Sequence, residues 1–475
     1  MRLASRHPFD GVPVLHLPTV FGATSGQWFL YRIPVTGERP IDITASGLPE
    51  GLSLQNGILS GTVFRGTDCK LVIGASNRLG TAKKTLTLRI APDTVQLTPL
   101  LGFTTWNAFG NVISQEIVEQ TAKLLLSTGL ADYGYGYVNV DSGWQSTYGG
   151  EFNAIQPNFR FPDMKAMCDR LHGMGFRAGI YSTPTLRAWG CPPEYESIPG
   201  CTAGEPDERF PDAENGGIGK IHLEKENVRQ WCAWGFDYLK YDWKPTDGFN
   251  THLMKETLRS AERTFTYSIT VHANFGEADV FRRDASSWRD NTDSAPNWEN
   301  LKNRMLTVDK WRDYVCPGHF YDLDMLAVGK SHKDREGTAL TDNEKVFAYT
   351  MRAFFASPIQ ISTPLDTVTE FDLDLFCNDE IIAINQDALS DYPARVSQDS
   401  PDHLLVYRRR LENGDEAYAV FSLSEKPAPV TVPLGRICAI RSVWEKTDLP
   451  SADKISLLAE PHAAYVFRVS SADSR

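Results

Sequence analysis

The segment WGFDYLKYDW, at positions 234–243, has the pattern of a buried β-strand that ends in charged side chains. Lys240 and Asp242 stand two positions apart, and side chains at i and i+2 of a strand point to the same face of a sheet. We therefore expect these two side chains to lie side by side at the end of the strand. By itself the segment slightly favours a structural ion pair over a functional site, so the choice between them depends on the surrounding sequence.

Strand-like segments of this kind alternate with amphipathic helical segments from about residue 96 to residue 390. The helical pattern is clear in SQEIVEQTAKLLLSTGL (114–130) and DMKAMCDRLHGMG (163–175). Eight such units in roughly 290 residues predict a (β/α)8 barrel. An open doubly wound sheet is the alternative, but the sequence lacks the glycine-rich phosphate loop that accompanies it. The predicted strands are LGFTTWN (101–107), YGYVNVDSGW (135–144), FRAGIYSTP (176–184), FDYLKYDW (236–243), FTYSITVHAN (265–274), ASSWRDNTD (285–293), HFYDLDML (319–326) and SPIQISTPL (357–365).

Two β-rich regions flank the predicted barrel. Residues 1–95 contain short runs such as QWFLYRIPV (27–35), separated by glycine and proline, and predict a small β-sandwich. Residues 391–475 contain runs such as HLLVYRRRL (403–411) and predict an antiparallel β domain, interpreted as a stabilising appendage rather than a sugar-binding module. The expected fold is therefore α/β, a TIM barrel over 96–390 flanked by a β-sandwich over 1–95 and an antiparallel β-sandwich domain over 391–475.

Composition excludes several classes of function. The net charge of -12 opposes binding to nucleic acid, and no apolar stretch reaches the 18 or more residues of a membrane span. The first residues lack a secretory signal pattern, which predicts a cytoplasmic protein or an exported one whose signal has been removed.

The eight cysteines form no C-x-x-C motif, and this spacing predicts that most of them are buried thiols. Cys191 and Cys201 are the exception, because they bracket one loop and could be bridged in an oxidising compartment.

Polar residues at the ends of apolar runs indicate where the chemistry would take place, since active sites of such barrels lie at the carboxyl ends of the strands. Aspartates follow four of the predicted strands. A low-dielectric cleft tolerates so many carboxylates only with partner cations, a metal or different protonation states. The candidates in chain order are Trp106, Asp141, Tyr181, Lys240 with Asp242, Arg289 with Asp293, and Asp322 with Asp324.

One interpretation is a metal-dependent barrel enzyme that holds a divalent ion between carboxylates of successive strands. Lys240 and Arg289 disfavour it, because two fixed cations oppose the binding of another cation. His272 and His319 stand alone near strand ends, so we interpret them as hydrogen-bonded wall residues. The sequence therefore predicts neither a metal nor another cofactor.

The other interpretation is glycoside hydrolysis by two carboxylates. A retaining glycosidase needs an ionised nucleophile and a protonated acid about 5 Å apart. Asp242 fits the first role because Lys240 would keep it ionised, and Asp293 fits the second because desolvation near Trp288 and Trp298 would favour its protonated form. A third possibility, a catalytically silent sugar-binding protein, is disfavoured by the intact pair of aspartates.

The barrel resembles glycoside hydrolase family 27, the family of retaining α-galactosidases and α-N-acetylgalactosaminidases. GYVNVDSGW matches the family's Y-x-N-I-D-D-x-W, WGFDYLKYDW matches W-G-V-D-Y-L-K-Y-D, WRDNTD matches W-R-T-T-G-D, and CPGHFYDLDML matches G-P-G-x-W-N-D-P-D-M-L. The resemblance covers nearly the whole barrel and implies a carbohydrate substrate. GLPEGLSLQNGILSG (47–61) also resembles the immunoglobulin-like module that precedes some bacterial glycosidase domains, which suggests a bacterial origin.

The resemblance implies a role for each matching position. Asp242 takes the position of the nucleophile and Asp293 that of the acid/base, with Lys240 contacting sugar hydroxyls and Arg289 beside Asp293. The family's other sugar-contacting positions correspond to Trp106, Asp141, Tyr181 and Asp324.

Two departures from the family pattern concern the choice of sugar. Ser142 replaces the second of two aspartates that hold galactose, and a neutral hydroxyl should hold the sugar less tightly than a charged acceptor. In the fifth-strand loop, Val271, His272 and Asn274 match neither family pattern that reads the C2 substituent. We expect Ser142, His272 and Asn274 to contact substrate. An α-galactoside is the expected substrate; a β-L-arabinopyranoside, an α-N-acetylgalactosaminide and an α-glucoside are the alternatives.

A third departure concerns a disulfide. The family's bridge between the third- and fourth-strand loops is absent, because Lys244 stands where its second cysteine would be. Cys191 occupies the first position, which leaves Cys201 as a substitute partner.

Overall fold

The computed structural model describes residues 3–64, 66, 68–211, 213–332, 340–397 and 403–471. Its centre is one parallel sheet of eight strands, numbered β1 to β8 in chain order and arranged β7-β6-β5-β4-β3-β2-β1-β8. A parallel bridge between Leu326, after β7, and Ile361 of β8 joins the two edges. The predicted TIM barrel is therefore confirmed. The strands are Leu101–Thr104 (β1), Tyr137–Asn139 (β2), Arg177–Ser182 (β3), Tyr238–Asp242 (β4), Thr266–Thr270 (β5), Ser287–Trp288 (β6), Phe320–Tyr321 (β7) and Ile359–Ile361 (β8).

The register of the central strands places polar side chains at one level. Lys240 of β4 pairs with Tyr181 of β3 and with Ser268 of β5, and Asp242 pairs with Thr270. Residues paired across parallel strands point to the same face, so the side chains near the carboxyl ends converge inside the barrel mouth.

Helices surround the sheet, and several of them begin with a capping side chain. The Ser114 hydroxyl accepts from the backbone N–H of Ile117, and Thr341 with Glu344 forms a capping box. None of the helices in the described part of the chain is long and apolar enough to cross a bilayer. The α-helices are Trp106–Phe109, Gln115–Ser127, Met164–Gly173, Glu224–Trp234, Gly248–Arg259, Ala278–Asp284, Trp298–Met305, Asp342–Phe354, Glu370–Phe376 and Asp379–Asn385, and the 3-10 helices are Leu130–Tyr133, Phe275–Glu277 and Val308–Tyr314.

Two antiparallel hairpins are inserted at the carboxyl end of the barrel, after β2 and β3. The first pairs Gln145–Gly149 with Ala154–Pro157, and the second pairs Thr202–Pro206 with Gly219–His222. They lengthen the loops that follow these strands, on the side where active sites of such barrels lie.

The amino-terminal region is a β-sandwich, as predicted, whose two main sheets share one apolar core. It packs on the amino-terminal end of the barrel strands. There the guanidinium of Arg177, the first residue of β3, lies 5.5 and 5.6 Å from the ring centroids of Phe21 and Phe29. The sandwich is therefore remote from the carboxyl ends of the strands. One sheet contains Val20–Thr24, Gly80–Ala91, Cys69–Asn77 and Asp42–Ser46, the other Trp28–Arg32, Ile58–Thr62 and Leu52–Gln55, and a small ribbon pairs Val14–Leu15 with Val35–Thr36.

The carboxyl-terminal region is antiparallel, as predicted, and its described strands lie in one six-stranded sheet. It packs on the helix Asp342–Phe354, where the ring centroids of Phe421 and Phe347 are 5.1 Å apart and the Trp444 indole N–H donates to the Thr350 hydroxyl at 3.1 Å. These contacts join the sheet to the barrel; its interpretation as a stabilising appendage stays a prediction. In sheet order its strands are Ala394–Arg395, Leu404–Arg410, Glu416–Ser422, Ala464–Ser471, Ala428–Ser442 and Thr447–Ala459.

Candidate active site

A cavity of about 390 Å³ opens at the carboxyl end of the barrel. Its volume is in the range of small-molecule sites. It brings together eight of the residues predicted from the sequence: Trp106, Asp141, Ser142, Tyr181, Lys240, Asp242, His272 and Asp293. The rest of its lining is Trp189, Glu214, Lys244, Val271 and Thr292.

Asp242 ends β4 and lies on the floor of this cavity. Its Oδ1 accepts a hydrogen bond from the Thr270 hydroxyl at 2.7 Å. Burial raises the pKa of the Asp242 carboxyl above its usual range, and the nearby Asp293 raises it further. The positive charges of Lys240 and Arg289 oppose this rise. Asp242 is therefore a carboxylate whose protonation depends on two neighbouring cations.

Lys240 lies on the same face as Asp242, as expected, but its ion-pair partner is different. The Lys240 Nζ donates to Asp141 Oδ2 at 2.8 Å, and the Asp141 side chain is almost fully buried. Burial lowers the pKa of Lys240, but Asp141 and Asp242 outweigh it and hold this pKa above its usual range. The ion pair of Lys240 is therefore with Asp141, which follows β2, whereas Lys240 acts on Asp242 through space and favours its ionised form, as expected.

Asp293 follows β6 and is held by two donors. The Trp106 indole N–H donates to Asp293 Oδ2 at 3.1 Å, and Arg289 Nη2 donates to Asp293 Oδ1 at 3.0 Å. The side chain keeps about a third of its surface exposed. The expected tryptophans have other partners, since Trp288 packs against Trp311 and Trp298 stacks on His462.

Arg289 and Asp324 lie behind the cavity rather than in its lining. Arg289 is fully buried, and its Nη1 is 2.5 Å from Asp324 Oδ1. Asp324 Oδ2 also accepts from the backbone N–H of Ser294 at 2.5 Å. Arg289 therefore holds the Asp293 carboxylate directly, and Asp324 holds both Arg289 and the backbone of Ser294, the residue after Asp293.

Trp189 is a wall residue that sequence reasoning missed. Its carbonyl accepts a hydrogen bond from the Ser142 hydroxyl, and the neighbouring Gly190, at φ 69°, packs so closely that a Cβ there would lie 2.8 Å from the Trp106 ring. The only sequence signal for Trp189 is its place in the long loop after β3, where binding residues are common. Glu214 and Lys244, also missed, form an ion pair of 3.0 Å with about two fifths of each side chain exposed.

Asn274 does not reach the cavity lining. Its side-chain oxygen accepts from the backbone N–H of Gly276 at 3.1 Å and its amide donates to Glu277 at 3.2 Å. Asn274 therefore caps the 3-10 helix Phe275–Glu277, a role for which asparagine is well suited. Of the predicted fifth-strand residues, Val271 and His272 line the cavity and Asn274 does not.

The bridge that Cys191 and Cys201 could form in an oxidising compartment is absent from this structure. The Cys191 thiol donates to the Tyr195 carbonyl at 2.9 Å, whereas the buried Cys201 thiol lies 3.1 Å from the Ser182 hydroxyl. Both are free thiols, each with its own hydrogen-bond partner.

The aspartates at the strand ends have cationic partners or altered protonation. Asp141, Asp293 and Asp324 each contact a lysine or arginine, and burial raises the pKa of Asp322 to about 6. His319 is hydrogen-bonded, as expected, through its Nδ1 to the carbonyl oxygen of Ala285 at 2.8 Å, but it precedes β7 and does not line the cavity. No group of three or more histidine, cysteine or acidic side chains in the described ranges has the arrangement to hold a metal ion.

Comparisons with known proteins agree with this geometry. The family model described as alpha galactosidase A, or melibiase, matches residues 104–199 and 213–387. An alpha-galactosidase of Oryza sativa is 27% identical over 380 residues, which cover 77% of this chain and 83% of the rice protein. Alpha-galactosidase A of Cellvibrio japonicus is 27% identical over 343 residues, 69% of this chain and 76% of that protein.

Solved structures show the same architecture. A Bacteroides fragilis protein proposed to be an alpha-galactosidase/melibiase superposes with a TM-score of 0.88 at 27% identity, covering 98% of this chain and 99% of the other. A β-L-arabinopyranosidase of Geobacillus stearothermophilus shares the fold at 21% identity, with a TM-score of 0.69 over 80% of this chain and 98% of the other.

Proposed function

Since the chain belongs to the melibiase family, glycoside hydrolase family 27, we propose that it is a retaining α-galactosidase that removes a terminal sugar from a carbohydrate substrate. The observation that carries this proposal is the meeting of Asp242 and Asp293 in one cavity with different surroundings. Asp242 lies on the floor beside Thr270, whereas Asp293 is partly exposed and contacts Trp106 and Arg289.

We assign the nucleophile to Asp242 and the acid/base to Asp293. In the first step a carboxylate oxygen of Asp242 attacks the anomeric carbon, the bond to the leaving oxygen breaks, and Asp293 donates its proton to that oxygen. In the second step water attacks the anomeric carbon, Asp293 takes a proton from the water, and the bond to Asp242 breaks. Two inversions give net retention.

We assign sugar contacts to the deep wall of the cavity. The ion pair of Lys240 with Asp141 offers a charged donor and a charged acceptor to sugar hydroxyls, which are bound most strongly by charged partners. Trp106 and Tyr181 offer aromatic surface, and sugars have apolar faces that stack on rings. His272 lies at the mouth, and Arg289 and Asp324 act by holding Asp293 in place.

The identity of the sugar depends on Ser142. Because its hydroxyl proton is donated to the Trp189 carbonyl, Ser142 can only accept a hydrogen bond from a sugar. This weaker contact keeps a β-L-arabinopyranoside, an α-N-acetylgalactosaminide and an α-glucoside as candidates beside the α-galactoside. The likeness to the Bacteroides fragilis protein over nearly the whole chain supports a bacterial origin. A cytoplasmic location, or export with removal of a signal, stays a prediction.

The test is hydrolysis of aryl glycosides of these four sugars by the purified protein. We expect turnover of at least one, with the α-galactoside fastest. Asp242→Ala should abolish this turnover. Asp293→Ala should slow the hydrolysis of glycosides with poor leaving groups by about 10²- to 10⁴-fold, the usual contribution of general acid catalysis. Asp169→Ala is the matched control, because Asp169 is an exposed aspartate that pairs with Lys165 on the helix Met164–Gly173, away from the cavity lining. Full activity of Asp242→Ala, or no turnover of any of the four by the native enzyme, would overturn the proposal.

A further inference from the structure

Asp290 is a nearly buried carboxylate that the proposed mechanism does not use. Its side chain is 7% exposed and accepts four hydrogen bonds. The Tyr321 hydroxyl and the Asn291 amide donate to Oδ1 at 2.5 and 2.9 Å, and Lys310 Nζ and the Trp311 indole N–H both donate to Oδ2 at 2.8 Å. Asp290 therefore joins the loop after β6 to the 3-10 helix Val308–Tyr314 and to β7.

This loop carries Asp293, and its other side is anchored as well. The Thr292 carbonyl accepts from Arg304, which is buried, and the Ser294 N–H donates to Asp324. Between these inner contacts and the outer contacts of Asp290, residues 289–294 have little freedom. The orientation of the Asp293 carboxyl therefore depends on both sets of bonds.

A carboxylate fits this set of four donors. Its two oxygens can accept all four hydrogen bonds, and its negative charge pairs with the Lys310 ammonium. The aromatic surroundings add to the anchor, because the Trp311 ring stacks on Tyr321 with centroids 5.8 Å apart.

We propose that Asp290 is a positioning residue that sets the orientation of the acid/base Asp293 by clamping the loop 289–294 to the helix 308–314. The inference rests on the proposed function. This role does not require Asp290 to contact the substrate. Misplacement of a catalytic group by about 1 Å can cost about 10²-fold in rate, and here the cost should depend on how much the leaving group needs a proton.

The test variant is Asp290→Asn, which keeps the shape and replaces one acceptor oxygen by a donor NH₂. Whichever way the amide is turned, two of the four donors lose their partner. With the glycone that the native enzyme turns over best, we expect kcat/KM to fall about 10- to 100-fold for a phenyl leaving group. For a 2,4-dinitrophenyl group, which needs little protonation, we expect a fall below about threefold. The basic limb of the pH profile should also shift.

Asp309→Asn is the matched control. Asp309 lies in the same 3-10 helix and contacts Arg312 and Tyr407, so its variant tests general loosening of that helix. It should affect the two leaving groups equally. Lys310→Met, which removes one of the four donors, should produce a milder version of the Asp290→Asn pattern even if Asp290→Asn folds poorly.

A second readout does not depend on activity. Amide hydrogen exchange of residues 289–294 should be at least about tenfold faster in Asp290→Asn or Lys310→Met than in Asp309→Asn, because local opening becomes easier when the clamp is weakened. Equal losses for both leaving groups, or unchanged exchange in this loop, would overturn the inference. A native enzyme inactive on every glycoside would refute the proposed function, whereas the exchange experiment would still decide whether Asp290 clamps the loop.

Discussion

Replacement of Lys240 by methionine would test the electrostatic design of the cavity. The substitution removes the ammonium but keeps a long apolar side chain. Lys240 Nζ is 2.8 Å from Asp141, and only 11% of the Lys240 side chain and 3% of the Asp141 side chain are exposed. Asp141 would then keep the backbone N–H of Ser142 as a donor but would lose its counter-charge.

Two effects are expected, one on folding stability and one on the pH dependence of activity. Removing one partner of a buried ion pair usually costs about 3–5 kcal/mol of folding stability, because the other charge stays buried. For activity, Lys240 lowers the pKa of Asp242 against the effect of burial, so its loss should raise that pKa further. Since Asp242 must be ionised to attack, the acid limb of kcat/KM should move to higher pH. Each tenfold weakening of the acidity of Asp242 corresponds to about 1.4 kcal/mol.

The assay combines urea unfolding at neutral pH with the pH dependence of kcat/KM on an aryl glycoside. Lys244→Met is the control, because the ion pair of Lys244 with Glu214 has side-chain exposures of 43% and 40% and should contribute at most about 1 kcal/mol. If Lys240→Met lost no more stability than Lys244→Met, or if its acid limb stayed in place or moved to lower pH, the electrostatic role of Lys240 would be refuted.

Three further outcomes are expected. Ser142→Ala, which removes a donor to Trp189 and an acceptor for the sugar, should raise KM about fivefold, the equivalent of about 1 kcal/mol; an unchanged KM would show that the hydroxyl makes no sugar contact. Because burial raises the pKa of Asp322 to about 6, the native state keeps a proton that the unfolded chain releases near pH 4. Stability should therefore fall by up to about 3 kcal/mol as pH rises through this window. In Asp322→Asn, the free energy of unfolding measured with urea should not show this fall between pH 4.5 and pH 7. The prediction would be contradicted if the free energies of the variant and the native protein differed by the same amount at both pH values. Because Cys191 and Cys201 are free thiols, dithiothreitol should leave Tm unchanged, and a lower Tm would reveal a bridge.

Much of the barrel and part of the site could be predicted because their signals are local. A strand that ends in a polar residue is visible in five or six consecutive letters, and the carboxyl ends of parallel strands meet at one end of a barrel whatever the intervening sequence. Asp242 and Asp293 could be chosen on this ground, and both line the cavity. Local reasoning went wrong at Asn274, because its side-chain oxygen accepts a hydrogen bond from the nearby backbone N–H of Gly276 and the residue does not line the cavity.

The sequence alone determined which residues stand at the strand ends and that their motifs match those of a glycosidase family. Only the tertiary structure decided their partners. Lys240 is two residues from Asp242 but binds Asp141, 99 residues away, because strand register and the curvature of the barrel bring β2 and β4 into reach of each other. Trp189 enters the site in the same way, through a loop whose path depends on packing against Trp106. Such contacts are set by non-local packing, which no short segment of the sequence contains.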